Sequence, residues 1–233
     1  MRRRRVAKAL GDKIKKVIIR SGGVFERTHG NSAQSGWPAY FFYHKLLGLR
    51  WVQTLAPGRK LNWQKVARFR LWTRYGVPIY VVNDFNTLRE TLEGEPNWHL
   101  YINFNTKEFE KGEERTEDIE YKLPEPPQLH HLEQQIADRI QWKLEKLGWL
   151  VQKSFGNRYQ AGWPDYYLHH PEHGYKWLET KRPSGKLETT QFAKFTKWEG
   201  RGVKVWVLKT EEIDPLFGEP NWRQFPVKKW KFK

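Results

Sequence analysis

Gly162-Trp163-Pro164-Asp165-Tyr166 is followed, fourteen residues after its aspartate, by Glu179-Thr180-Lys181. Asp165 comes directly after a Trp-Pro pair that disfavours helix, so it is expected to open a strand. Glu179 and Lys181 lie two positions apart in a second predicted strand, and their side chains therefore point to the same face. If the two strands are neighbours, two carboxylates and one ammonium meet at one sheet edge. Such a set suits a magnesium ion that assists phosphodiester hydrolysis.

An aspartate and a Glu-x-Lys pattern are also common among solvated surface charges, so the flanking sequence decides between the two interpretations. From about residue 130 to residue 214 the chain resembles the PD-(D/E)XK nuclease superfamily, and within it the VRR-NUC family. The resemblance rests on Glu133 in an opening helix, Gly156, Gly162-x-Pro164-Asp165, Leu178-Glu179-Thr180-Lys181-x-Pro183, Gly185-Lys186-Leu187, Gln191 and Gly202-Val203-x-Val205-x-Val207.

The resemblance implies a role for each of these polar residues. Asp165 and Glu179 would hold Mg²⁺ or Mn²⁺ together with the backbone carbonyl of Thr180. Glu133 would reach a second metal or its water shell. Lys181 would orient or deprotonate the attacking water, or neutralise the transition state. The last sequence-predicted site residue, Gln191, occupies the position at which the family often has a glutamine that steadies the site.

Composition limits the remaining function classes. The chain has 233 residues, no cysteine and 15% aromatic residues. The lack of cysteine excludes disulfides, thiolate zinc sites and a cysteine nucleophile. No apolar run is long enough to span a membrane, and the start of the chain has no secretory h-region. We therefore expect an intracellular protein, of cytoplasm or nucleoid, with a viral origin left open.

The net charge is +16, and it is unevenly distributed. Residues 105–127 contain eight acidic and four basic residues, so the rest of the chain carries a still larger positive surplus. Basic residues interleaved with aromatic ones predict a nucleic-acid partner and salt-dependent binding, in preference to a membrane surface. We expect contacts to the phosphate backbone from two mobile arms, at the start and at the end of the chain, and from two residues beside the predicted site. For the arm at the start of the chain, a purely solubilising role is the alternative that stays open. The residues concerned are Arg2, Arg3, Arg4 and Arg5, then Arg182 and Lys186, and in the C-terminal arm Arg223, Lys228, Lys229, Lys231 and Lys233.

An internal repeat organises the whole chain. Without gaps, residues 36–82 match residues 162–208 at 17 of 47 positions, and Gly-Glu-Pro-Asn-Trp occurs at 94–98 and again at 218–222. We interpret this as a tandem duplication. The predicted units are a degenerate nuclease-like domain over 1–104, an acidic linker over 105–127 and an active nuclease domain over 128–233. The Gly-Glu-Pro-Asn-Trp segments are expected to be structural caps.

Each unit is predicted to be αβββαβ, which places the chain in the α/β class with a mixed sheet flanked by helices. The expected elements are helices over 6–20, 129–147 and 187–200, and strands over 40–43, 149–155, 165–169, 175–181 and 204–208. The pairs His130-His131 and His169-His170 are expected to be solvated or packed, since no further metal ligand accompanies them in sequence.

The two units differ where the chemistry is expected. Asp165 corresponds to Ala39, Glu179 to Gln53, Lys181 to Leu55 and Glu133 to Ala7, while the surrounding tryptophans, prolines and glycines are retained. This contrast predicts one active site per chain, with the first unit kept for shape or binding. The competing interpretation is that the first unit drifted and the second is following it.

These patterns predict a Mg²⁺-dependent DNA endonuclease, and the resemblance implies that it selects branched DNA such as flaps or junctions. Two alternatives stay open: a non-catalytic DNA-binding protein built from two nuclease remnants, and a restriction-type, sequence-specific endonuclease. RNA is a further substrate class that the sequence leaves open. The expected assembly is a monomer acting as an internal pseudo-dimer, and a homodimer is the other arrangement considered.

Overall fold

The computed structural model describes residues 2–28, 34–102, 133–154 and 160–228, with side chains from residue 6 onward. It contains two four-stranded mixed sheets, each accompanied by helices, so the α/β class is confirmed. The predicted linker over 105–127 lies outside these residues. Within them, no helix is both long and apolar enough to cross a membrane.

The two sheets have the same strand order. The first is β1-β2-β3-β4 and the second is β5-β6-β7-β8, and in each the first three strands are antiparallel while the last pairs in parallel. The strands are β1 (Val24–Arg27), β2 (Tyr40–His44), β3 (Gly48–Thr54), β4 (Ile79–Val82), β5 (Leu150–Lys153), β6 (Tyr166–His170), β7 (Gly174–Thr180) and β8 (Val205–Leu208). The helices are α1 (Arg2–Arg20), α2 (Trp63–Arg74), α3 (Leu88–Glu93), α4 (Glu133–Lys146) and α5 (Thr189–Glu199), with short 3-10 helices at Trp98–Tyr101, Asp214–Phe217 and Trp222–Gln224.

Strand register follows the sequence repeat. Val24 pairs with Tyr43 in the first sheet, and Leu150 pairs with His169 in the second, each partner 126 positions further along. The same spacing relates the other pairings of the two sheets. The pleat therefore directs corresponding residues to corresponding faces.

Local sequence explains where the helices of the second unit begin and end. Ile136, Ile140 and Leu144 recur at helical spacing in α4 and are all buried. Gly148 follows with a φ of 79°, a left-handed conformation that favours glycine and ends the helix. At the start of α5, Glu188 and Gln191 form a capping box.

An aromatic core joins the two sheets. Phe41 of β2 lies 5.1 Å from Trp177 and 5.6 Å from Trp198, measured between ring centroids. In the reciprocal position, Tyr167 of β6 lies 5.0 Å from Trp51 and 5.8 Å from Trp72. These side chains are fully buried in one cluster with residues of both sheets. The sheets therefore pack face to face, and the contact has approximate two-fold symmetry.

Polar contacts across this interface show the same symmetry. Lys194 Nζ donates to Glu26 Oε1 at 3.0 Å, and Arg68 Nη1 donates to Gln152 Oε1 at 2.8 Å. Each of these pairs is the other displaced by 126 positions. Gln34 Nε2 donates to Gln160 Oε1 at 3.2 Å, so a residue here meets its own counterpart. That self-pairing places the approximate two-fold axis between the two glutamines.

The repeated Gly-Glu-Pro-Asn-Trp segments are structural, as predicted. Asn97 accepts from Val81 N at 2.7 Å and donates to Val81 O at 3.1 Å. Asn221 makes the equivalent pair of bonds with Val207, at 2.7 and 3.0 Å. Each asparagine thus binds the backbone of the last strand of its sheet.

The predicted mobile arms are partly wrong. The backbone of residues 2–5 forms the first turn of α1. At the other end, Arg223 Nε donates to Glu199 at 2.7 Å, and Lys228 is ion-paired with Glu188. These carboxylates, which lie 24 and 40 positions earlier in the sequence, hold the two cations against the second unit. The remaining tail cations, Lys229, Lys231 and Lys233, lie outside the described residues.

Candidate metal centre

Strand pairing brings the two predicted carboxylates together. Tyr166 of β6 pairs with Leu178 of β7, and the next position in this antiparallel register places Asp165 opposite Glu179. Gly162 has a φ of 79°, and a Cβ there would lie 2.4 Å from the carbonyl oxygen of Thr190. Glycine thus lets the loop that carries Asp165 approach the first turn of α5.

Asp165 is held by the strand beside it. Its Oδ2 accepts from the backbone N–H of Thr180 and from the Thr180 hydroxyl, each at 2.9 Å. On the other side, Ser154 N donates to the Asp165 carbonyl at 2.7 Å, and the Ser154 hydroxyl donates to Pro164 O. The aspartate is therefore fixed at both its backbone and its carboxylate.

Glu179 is fully buried, and its two oxygens differ. Oε1 accepts from Lys181 Nζ and, at 2.6 Å, from Gln191 Nε2. Oε2 has no hydrogen-bond partner among the residues that the structure describes. A buried carboxylate oxygen without a donor is costly unless another group neutralises it.

Lys181 also faces the glutamate at the start of α4. Its Nζ lies 3.7 Å from Glu133 Oε1, and Glu133 Oε2 accepts from the backbone N–H of Arg182 at 3.4 Å. The side chains of Arg182 and Lys186 are exposed beside the site. The site thus combines three carboxylates with one central ammonium, and two cations stand at its rim.

Burial and neighbouring charges shift the pKa values of the site residues. Burial raises the pKa of Asp165, although the two Thr180 donors and Lys181 work against the shift. Burial and then the charge of Asp165 raise the pKa of Glu179 to about 8. Burial alone would lower the pKa of Lys181, but Glu179, Asp165 and Glu133 outweigh it and raise that pKa.

The donor set fits a divalent cation with a preference for oxygen. The fit rests on the buried Oε2 of Glu179, which no described donor reaches, adjacent to a second carboxylate that burial disfavours as an anion. Asp165 and Glu179 would hold the ion, with the carbonyl of Thr180 as a further predicted ligand. The predicted ligand Glu133 does not form with them a group whose oxygens all lie within 4.8 Å of one another. A bound Mg²⁺ would polarise a phosphate oxygen and acidify a water.

Two contributors at this site were missed in the sequence. Thr180 was expected to act through its carbonyl, yet its N–H and hydroxyl both hold Asp165. Ser154, which fixes the backbone around Asp165, was not singled out. Its equivalent in the first unit is Thr28, which makes the same bonds to Pro38 O and Ala39 O. A hydroxyl-bearing residue at both repeat positions, 28 and 154, was the feature of the sequence that could have indicated this role.

A second cluster includes His170, which packs against Trp149 as expected, at 5.2 Å between ring centroids. His170, Glu172 and His173 bring one ligand atom each within 4.8 Å of one another at the turn between β6 and β7. Further ligands therefore accompany His170, against the sequence-based expectation. Imidazole nitrogens suit transition metals better than Mg²⁺. The cluster lies at the opposite end of β6 from Asp165, so it is separate from the carboxylate site. The pair His130-His131 lies outside the described residues.

The first unit has no equivalent set of charges in its sequence. Gln53, the counterpart of Glu179, is buried and donates from Nε2 to Thr54 O at 2.8 Å. Ala39, Leu55 and Ala7 stand in place of Asp165, Lys181 and Glu133, and Lys65 stands in place of Gln191.

Comparison of the chain with protein-family models, with curated proteins and with solved structures gives no match.

Proposed function

We propose that this protein is a Mg²⁺-dependent endonuclease that hydrolyses phosphodiester bonds in DNA, with one active site per chain. One observation carries the proposal. Asp165, Glu179 and Lys181 converge at the end of two paired strands, and a buried carboxylate oxygen is left without a donor from the described part of the chain. Such a charge set stabilises the fold poorly by itself and suits a cation and a phosphate.

The residues of the site divide the work. Asp165 and Glu179 bind the ion, with Thr180 fixing the aspartate and Gln191 fixing the glutamate. Lys181 lies on the same strand face as Glu179, where it positions the attacking water or neutralises charge on the phosphate. Its raised pKa favours the charged, neutralising role. Beside this centre, the exposed Arg182 and Lys186 contact the phosphate backbone.

We further propose that the two units arose by tandem duplication, with bounds of 1–104 and 128–233, and that the first unit substitutes for a second subunit. Support comes from the shared strand order and the 126-residue spacing of register. The symmetric Gln34–Gln160 pair adds to it. A monomer then cuts one strand per encounter. Branched DNA suits this arrangement, because two basic units can each hold one duplex arm.

Three variants test the site. Asp165→Ala, Glu179→Gln and Lys181→Leu should each abolish nicking of supercoiled plasmid or of a labelled junction, while binding of DNA without Mg²⁺ changes little. Glu145→Gln is the matched control, since Glu145 is a partly buried glutamate that accepts from Gln141 of its own helix, away from the site. Wild-type cleavage by Glu179→Gln, or no cleavage by the unmodified protein with Mg²⁺, contradicts the proposal.

The product pattern tests the number of cuts. Under single-turnover conditions, a monomer with one site should accumulate nicked plasmid well ahead of linear product. Concerted double cleavage, or a protein that is dimeric at working concentration, would instead show two active second units acting together. A restriction-type enzyme would yield fragments with a defined end sequence.

A non-catalytic DNA-binding protein is the second candidate. It is favoured by the first unit, where basic residues are present and the carboxylates are absent from the sequence. Tight binding of branched DNA by the unmodified protein, with no cleavage in Mg²⁺ or Mn²⁺, would identify it.

A further inference from the structure

The first unit contains a cavity at the position equivalent to the candidate metal centre. Its volume is about 420 Å³. Ala7, Thr54, Leu55 and Lys65 line it, and they lie 126 positions before Glu133, Thr180, Lys181 and Gln191. Ala7 and Leu55 are shorter than Glu133 and Lys181, which occupy the equivalent positions in the second unit, and this difference leaves room here.

The side chains that line this cavity carry the opposite charge to the carboxylates of the candidate metal centre. Among the described residues that line it, none is acidic and three are basic: Arg59, Lys60 and Lys65. Arg59 stands where the second unit has Gly185, and Lys65 where it has Gln191. The cavity also borders the start of α2, which has no acidic residue in its first turn. A helix start and three cations favour an anion.

The two lysines are held in place by carbonyl groups, which leave their charge intact. Lys65 Nζ donates to the carbonyl of Trp37 at 2.6 Å, and Lys60 Nζ donates to the carbonyl of Leu100 at 3.0 Å. An ammonium has three donors, so each lysine keeps donors for a ligand. Burial lowers the pKa of Lys65 to about 8. A bound anion would offset this effect of burial, because it favours the charged form of the lysine.

An exposed tryptophan beside the cavity favours the phosphate of a nucleic acid as the bound anion. Trp63 is the first residue of α2, directly after the cavity-lining Asn62, and 64% of it is exposed. Large exposed aromatics next to cations are typical of surfaces that stack nucleic-acid bases. Free phosphate offers nothing for this ring, whereas a polynucleotide offers both a phosphate and a base.

We propose that the first unit holds a nucleic-acid strand without cutting it, with a backbone phosphate in the Arg59–Lys65 cavity and a neighbouring base stacked on Trp63. The inference rests on the proposed function in one respect, that nucleic acid is the partner of the chain. It adds a specific ligand site in the unit that lacks the carboxylates. That site would fix one strand relative to the cutting centre across the pseudo-two-fold axis.

Binding of a fluorescein-labelled single-stranded oligonucleotide, followed by anisotropy in EDTA, tests the site without cleavage. Arg59→Gln with Lys65→Gln should weaken binding about tenfold and reduce the salt slope by about 0.7 for each phosphate that the protein no longer neutralises. Trp63→Ala should weaken binding by a similar factor with an unchanged salt slope. The matched-charge control is Lys15→Gln with Lys45→Gln, two exposed lysines of the first unit.

Equal effects of the cavity variant and the control would overturn the inference, because only overall charge would then matter. Inorganic phosphate is the second arm. If it saturates the cavity at low concentration, as reported by the fluorine resonance of Trp63 in fluorotryptophan-labelled protein, and the cavity variant binds oligonucleotide like wild type, the site takes free phosphate and the inference is wrong. Cleavage is not read in this experiment. Failure here therefore leaves the proposed function standing, while an inactive Asp165/Glu179 centre leaves this inference standing.

Discussion

Replacing Tyr167 by alanine should destabilise the contact between the two units. The ring is fully buried and packs 5.0 Å from Trp51, 5.8 Å from Trp72 and 5.2 Å from Trp177. Deleting a buried aromatic ring costs about 3–5 kcal/mol. The Tyr167 hydroxyl is itself buried beside the indole of Trp51 and makes no hydrogen bond of normal geometry in the described part of the chain, which costs about 1 kcal/mol or more. The expected net loss in the free energy of unfolding is therefore about 2–4 kcal/mol.

The assay pairs urea unfolding with fluorine NMR of fluorotryptophan-labelled protein. Tyr167→Ala should shift the resonances of Trp51 and Trp72, which belong to the first unit, and leave that of Trp206 in place. Tyr166→Ala is the control, since Tyr166 is also buried but packs in a separate cluster with Trp206. A Tyr167→Ala protein with wild-type Trp51 and Trp72 resonances and a stability change below about 1 kcal/mol would refute the shared core.

Three further expectations follow from single contacts. Tyr167→Phe should raise the free energy of unfolding in urea by about 1 kcal/mol, because it removes a buried hydroxyl at a position where the first unit has Phe41. A loss of stability would instead mean that the indole N–H of Trp51 donates to this hydroxyl. Asn221→Ala should cost about 1–3 kcal/mol by the same measurement, because Val207 loses both backbone partners, and an unchanged urea midpoint would contradict it. Burial lowers the pKa of His169, whose Nδ1 lies 2.8 Å from a backbone carbonyl. As the pH falls, this histidine is therefore protonated in the unfolded chain before it is protonated in the folded one, and the free energy of unfolding should decrease below about pH 6.5. His169→Phe should flatten that fall between about pH 7 and pH 5, and an equally steep fall in the variant would assign it to other groups.

The sequence predicted element types better than element contacts. Helical spacing of Ile136, Ile140 and Leu144 indicated α4, and the structure has that helix over Glu133–Lys146. Predicted strands and observed strands differ by one or two residues at their ends, as at β5, which is Leu150–Lys153 against an expected 149–155. Ends differ because pairing with a neighbour, which a single strand's pattern does not contain, decides where a strand stops.

The prediction that Asp165, Glu179 and Lys181 lie close together depended on one assumption, that their strands are adjacent. The structure has that adjacency. The hydroxyl of Thr180 and the role of Ser154 could not be inferred in the same way, because they depend on side-chain geometry across strands. The mobile-arm expectation failed at Arg223 for a related reason. Its partner Glu199 lies 24 positions away, and charge counting along the chain does not reveal such a pair.

The asparagine clamps on the last strands have a consequence for behaviour in concentrated solution. β4 reads Ile-Tyr-Val-Val and β8 reads Val-Trp-Val-Leu, short uncharged segments whose free backbone would template the addition of another chain. Asn97 and Asn221 occupy the N–H and C=O of one central residue in each of these strands. They act as a side-chain substitute for a fifth strand. Removing either one should therefore free this strand edge for intermolecular β-polymerisation, at a rate that grows with protein concentration.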